Sequence, residues 1–173
     1  MSKAAYLGPH GTFSEAACRA FGQITGLQLV PAPCASITDC AVSVAAGEAR
    51  FGIVPLENSL AGSVRETLDL LTTTSGLKIL AELDLEIEHH LLSQAAALTD
   101  IRAVYSHPQA LAQCRAFLQQ QLAHARTIPV VSTAEAARMA AELGVQAAAI
   151  AGRSAAAHYK LPVLAAAIQD KAS

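Results

Sequence analysis

Short apolar runs alternate with helical periodicity along most of the chain. Residues 4–7, 27–30, 51–54, 101–105, 127–131 and 147–151 read as strands. Runs this short, bounded by turn residues and separated by helices, predict a mostly parallel sheet covered on both faces. Three helix starts have capping-box spacing: Thr12-Phe13-Ser14-Glu15, the acidic variant Ser36-Ile37-Thr38-Asp39, and Ser132-Thr133-Ala134-Glu135. The first predicts a helix to Phe21 closed by Gly22, the second one ending near Gly47, the third one ending at Gly144. A further helix is expected over residues 63–71. Another follows His107-Pro108, with Leu111, Cys114, Leu118 and Leu122 at helical spacing. Residues 77–88 differ. Leu77, Ile79, Ala81, Leu83, Leu85 and Ile87 alternate with mostly polar neighbours, which predicts one long strand with a wet face. It reads as the crossover between two α/β lobes. Residues 1–76 with the returning tail 163–173 would form the first lobe, and residues 77–162 the crossover and second lobe.

Composition narrows the function classes. The chain has 173 residues, 53% of them hydrophobic and 15% charged, which is ample for a packed core and too apolar for disorder. Alanine occurs 38 times and tryptophan is absent, so helices pack closely and few aromatic platforms exist for stacking bases. The net charge of −2 argues against a nucleic-acid partner. No apolar run approaches the ~20 residues of a membrane span, and no signal-peptide pattern opens the chain, so the expected setting is cytoplasmic. The four cysteines, Cys18, Cys34, Cys40 and Cys114, have no CxxC spacing and read as reduced core thiols.

Candidate chemistry sits in the strand-to-helix turns. Residues 8–14, 55–64, 106–111 and 132–133 are rich in glycine, hydroxyls and amides. In open α/β sheets ligands bind beyond the carboxyl ends of the strands, and helix N-termini there favour anions. These turns point to a small carboxylated or phosphorylated ligand, with Thr12, Ser132 and Thr133 as donors and Gly11 and Gly62 allowing close backbone approach. Each Ser or Thr also has a plain reading as a helix cap. The cluster Glu57-Asn58-Ser59 is harder to read that way. His107 fits either an acid or base or a hydrogen-bonded structural group. His89 and His90 alternate faces in a strand and cannot chelate one metal together. No P-loop, GxGxxG, GxSxG or HExxH motif occurs.

Taken in order, three segments resemble the signatures of prephenate dehydratases. They are residues 6–14 (YLGPHGTFS), 54–64 (VPLENSLAGSV) and 106–114 (SHPQALAQC). Residues 148–151 and 168–170 fit the later part of that domain. The resemblance implies two α/β lobes around a cleft, similar to type II periplasmic binding proteins. It also implies conversion of prephenate to phenylpyruvate, water and carbon dioxide, with no metal or organic cofactor. By this likeness Glu57, Ser59 and Ser106 are catalytic candidates. Asn58 and Gln113 would hold the substrate, and Ser59 and Ser106 would donate to a carboxylate or to the leaving oxygen. A homodimer or higher homo-oligomer is expected.

The family continues into a Thr-Arg-Phe motif whose Thr is taken to protonate the leaving group; this chain ends at Lys171-Ala172-Ser173, before it and before any regulatory domain. Three readings stand open here: a truncated dehydratase domain, a relative that decarboxylates prephenate without aromatising it, and a ligand-binding module on the same scaffold.

Overall fold

A computed structural model describes residues 1–58 and 62–170. The chain divides into two units, Met1–Leu85 and Glu86–Ser173. Both are α/β, as the alternating pattern predicted.

In the first unit a three-stranded parallel sheet has β1 (Ser2–Leu7) between β2 (Leu29–Cys34) and β3 (Phe51–Ile53). The alternation of side chains along β1 sends Ala4 and Tyr6 to one face, where Cys18 of α1 (Phe13–Thr25) meets them. Ala5 goes to the other face, against Cys40 of α2 (Ile37–Ala45). A two-residue ladder, β4 (Glu57–Asn58) with β5 (Gly62–Ser63), precedes α3 (Arg65–Thr73).

The second unit holds a five-stranded mixed sheet in the order β10-β6-β9-β7-β8. Its strands are β6 (His90–Ser93), β7 (Ala103–Ser106), β8 (Arg126–Pro129), β9 (Ala147–Ala151) and β10 (Val163–Ala165). β7 runs parallel to β8 and β9, whereas β6 runs antiparallel to β9. All of β9 is buried. On one face Ala148 and Ile150 pack with Cys114, the residue between α4 (Pro108–Gln113) and α5 (Arg115–Gln121), and with Leu118 of α5. Ala147, Ala149 and Ala151 pack with Ala136, Ala137 and Ala140 of α6 (Thr133–Leu143) and Ala155 of α7 (Arg153–Tyr159) on the other. The alanine excess is thus a close helix-on-sheet seam.

Four expectations are corrected. Residues 77–88 form no ladder. Ile79 is 71% exposed and Leu83, Leu85 and Ile87 are only half-buried, so the alternating pattern stands without a partner strand. The unit boundary falls inside this segment, at Leu85/Glu86 rather than 76/77. The start of the tail, β10, pairs with β6 in the second unit rather than with the first sheet. Gly22 does not close α1: the helix runs on to Gly26, which takes the left-handed cap at φ +69°. Gly22 instead gives room where a Cβ would meet the Leu27 carbonyl at 3.2 Å.

Three of the four cysteines lie in the core, whereas Cys34, at the end of β2, is half-buried. Cys18, Cys40 and Cys114 are buried and unpaired by disulfides. Burial first, and then Asp170, pushes the Cys114 thiol up to about 12, which leaves it without thiolate character.

Candidate active site

In each unit described site candidates lie at or after the carboxyl ends of paired parallel strands. In the first unit Thr12 follows β1 and the loop from Pro55 follows the neighbouring β3. Thr12 is the N-cap of α1. Its hydroxyl accepts from the Glu15 N–H at 3.3 Å and lies within donating distance of the Leu7 and Pro9 carbonyls, at 3.1 and 3.0 Å. The turn between them is fixed by Glu15, whose buried carboxylate accepts from the Gly11 N–H at 2.7 Å and from Arg19 at 2.6 Å. Gly11 has φ +85°, a left-handed conformation that costs glycine least. Burial alone would raise the Glu15 carboxyl, but the Gly11 N–H and the Arg19 guanidinium outweigh it and hold the group below its ordinary range. Tyr6 Oη and His10 Nδ1 lie 2.8 Å apart in the same turn. A pocket of about 350 Å³ opens beside it, lined by Gly8, Pro9, His10, Pro33, Cys34 and Ala35.

The 55–64 loop is anchored at both ends. Thr67, buried in α3, donates to the Pro55 carbonyl at 2.6 Å, and the Val64 N–H donates to the Leu56 carbonyl at 2.8 Å. Glu57 and Asn58 are consecutive in β4, so their side chains leave on opposite faces. Glu57 is exposed and Asn58 half-buried. Gly62, at φ +80°, makes the return into β5. Ser59 lies outside the described residues.

In the second unit Ser106 ends β7, and Ser132 and Thr133 follow the adjacent β8. Ser132 caps α6, accepting from the Glu135 N–H at 3.0 Å, and Thr133 is the first residue of that helix. Ser106 corrects an expectation. Its side chain is fully buried and its hydroxyl donates to the Ile150 carbonyl at 2.6 Å. That proton ties β7 to β9 and is already in use, so Ser106 presents lone pairs rather than the donor its position suggested. His107 takes its structural reading, with Nδ1 accepting from the Gln109 N–H at 3.3 Å as the cap of α4.

Gln113 brings in a residue that sequence reasoning passed over. Its Oε1 lies 2.7 Å from Nε2 of His89, which is 4% exposed. β6 runs antiparallel to β9, with His90 opposite Ala151, so the start of β6 lies at the same edge as the carboxyl ends of β9 and β7. The segment after β10 then binds this corner. Ile168 N–H donates to the His89 carbonyl at 2.8 Å, the His89 N–H to Gln169 Oε1 at 3.0 Å, and Asp170 N–H to the Gln113 carbonyl at 2.7 Å. The Asp170 carboxylate accepts from Ala116 N–H in the first turn of α5. The signal was the adjacent histidines opening an apolar run.

Among the described residues no cluster of three or more His, Cys, Asp or Glu side chains is placed to hold a metal, and no helix is long and apolar enough to cross a membrane. The described candidate residues supply hydroxyls, amides and helix starts.

Comparison with known proteins gives the chain a family. The chain is 44% identical over 170 residues to a bifunctional chorismate mutase/prephenate dehydratase of Neisseria gonorrhoeae, covering 96% of this chain and 46% of the relative. Among solved structures it resembles a prephenate dehydratase of Arthrobacter aurescens in complex with L-Phe, with a TM-score of 0.86, 35% identity, and coverage of 98% of this chain and 56% of that one. It also resembles a protein described as a novel type of quorum quenching acylase, with a TM-score of 0.85, 31% identity, and coverage of 98% and 60%. The chain spans about half the length of the curated relatives it matches. A family model described as prephenate dehydratase matches residues 4–173, through all three sequence segments and both units, and the chain belongs to that family.

Proposed function

We propose that the chain is the substrate-binding and catalytic part of a prephenate dehydratase, a lyase of phenylalanine biosynthesis. The observation that carries this reading is the family match over residues 4–173; it is supported within the first unit by Asn58 on the loop that follows β3, and within the second unit by Gln113 on the helix that follows β7. Prephenate carries two carboxylates, and amide N–H groups beside capped helix starts suit them. In the reaction the bond from the ring to its carboxylate breaks and releases carbon dioxide. The electron pair enters the ring, the C–O bond on the far side breaks, and one proton turns the departing hydroxide into water. Aromatisation drives the step, so the protein's tasks are positioning and delivery of that proton.

Asn58 is the better binder of its pair, because Glu57 is exposed on the opposite face of β4 and would repel a dianion. Thr12, Ser132 and Thr133 contribute through the helix starts they occupy. Ser59 stands as a hydroxyl donor on sequence grounds. Ser106 supports the site by holding β7 to β9. Assembly as a homo-oligomer and a cytoplasmic setting belong to the same proposal.

The test is incubation with prephenate at neutral pH, where its spontaneous aromatisation in acid is suppressed, followed by the ultraviolet spectrum of phenylpyruvate in alkali. Turnover above the protein-free control is expected. Saturable binding without turnover would instead assign a ligand-binding module.

A further inference from the structure

We propose that His89 is a positioning residue, which holds the Gln113 amide in the one orientation that offers its N–H groups to a substrate carboxylate. The inference deepens the reading above and rests on Gln113 as a substrate ligand.

An amide has two faces of opposite character. Its NH₂ end donates to a carboxylate, and its oxygen end repels one. A glutamine with nothing on its oxygen can turn over, and half its orientations would then be wrong for an anion. Here Oε1 lies 2.7 Å from Nε2 of His89. An amide oxygen only accepts, so Nε2 carries a proton and is the donor of this bond. Burial keeps the imidazole neutral by pushing its pKa down, against the opposing hydrogen bond from Gln113. The ring has little room to move, because His89 is buried and its backbone N–H and carbonyl are bonded to residues 169 and 168. Gln113 is held likewise by Asp170 at its carbonyl. Both partners are thus fixed by their main chains, and the bond between their side chains sets which end of the amide remains for a ligand. Fixing that choice before binding removes an ordering cost from the association.

The test is a double-mutant cycle read by calorimetric titration with prephenate, with folding checked by circular dichroism. Gln113→Ala is expected to weaken binding about ten-fold. His89→Asn, whose amide reaches the Nδ1 position but falls short of Nε2, is expected to do the same. His89→Gln, whose amide nitrogen reaches the Nε2 position, recovers most of that loss. In the Gln113→Ala background His89→Asn costs less than about two-fold further, because nothing is left to position. His89→Phe serves as a second variant without the donor if the Asn form does not fold. An unchanged affinity in Gln113→Ala would overturn the assignment of Gln113 itself. A weakened Gln113→Ala beside unchanged donor-less His89 variants, or losses that multiply to about a hundred-fold in the double variant, would overturn the positioning role alone.

Discussion

The hydroxyl of Ser106 donates to the carbonyl of Ile150 at 2.6 Å, across the ladder between two buried parallel strands. The bond lies at the edge where β7 hands over to α4, so it ties the frame of the site rather than its solvent-facing surface. Removing one partner leaves a buried carbonyl lone pair without its donor. Ser106→Ala is expected to lower the unfolding free energy by about 1–3 kcal/mol. Urea denaturation followed by circular dichroism measures it, and an unchanged midpoint would show that the hydroxyl is not bearing this load.

Much of this frame was legible in the sequence. The capping boxes at Thr12, Ser36 and Ser132 all cap helices, because a side-chain oxygen three residues before a free N–H is a local, short-range device. The apolar run 147–151 is a strand covered on both faces, as its short apolar pattern implied. The failures are long-range. The alternation over residues 77–88 has the period of a strand, but period 2 describes where side chains point and says nothing of a partner. The antiparallel direction of β6 was equally invisible, and with it the arrival of His89 at the edge where Gln113 sits. The tail's pairing with β6 depends on contacts between residues about seventy positions apart, which no local pattern encodes.

Asn58→Ala is expected to weaken prephenate binding about ten-fold or more. The proposed contact is an amide N–H to a carboxylate, and a charge-assisted hydrogen bond contributes roughly 1.5–3 kcal/mol. Glu57→Gln, by contrast, removes an exposed charge on the other face of β4 and is expected to leave affinity equal or slightly tighter. Calorimetric titration of the two variants side by side decides which face of the strand meets the ligand. A larger loss for Glu57→Gln than for Asn58→Ala would reverse the assignment.

Glu15 makes an acid-dependent contribution to the first unit. Its folded pKa lies below the unfolded value of about 4.3, because the Gly11 N–H and Arg19 outweigh the burial that would raise it. The unfolded chain therefore binds the proton first as pH falls. The stabilisation is complete above about pH 4.3 and is lost as pH drops through the lower folded value. Glu15→Gln is expected to lose about 1.5–3 kcal/mol at neutral pH and much less in acid. Denaturation curves at pH 7 and near pH 3 test this, and a gap between wild type and variant that does not narrow in acid would contradict it.

The adjacent histidines give the second unit a dependence of the same sign at higher pH. Both are buried, and both have pKa values below the ordinary value near 6.5. For His90 the causes are burial first and then the Arg153 charge, opposed by Glu88, whose carboxylate lies 3.7 Å from Nε2. Its Nδ1 accepts from the Ala167 N–H at 3.0 Å, which requires that nitrogen to be bare. Protonation at Nδ1 breaks the bond and turns an acceptor into a donor facing a donor. A histidine with a lowered folded pKa leaves the unfolded chain with more bound protons between the two values, so stability rises with pH through that interval. It is flat above about pH 6.5 and falls below it, by up to about 1.4 kcal/mol per pH unit for each histidine. His90→Asn places an amide oxygen where Nδ1 sits and keeps the acceptor without the titration. The variant is expected to lose one proton's share of the slope below about pH 6.5, while His89 supplies the remainder. Far-ultraviolet circular dichroism under urea, pH by pH, follows the transition in a chain without tryptophan. An identical slope in wild type and His90→Asn would place the titrating group elsewhere.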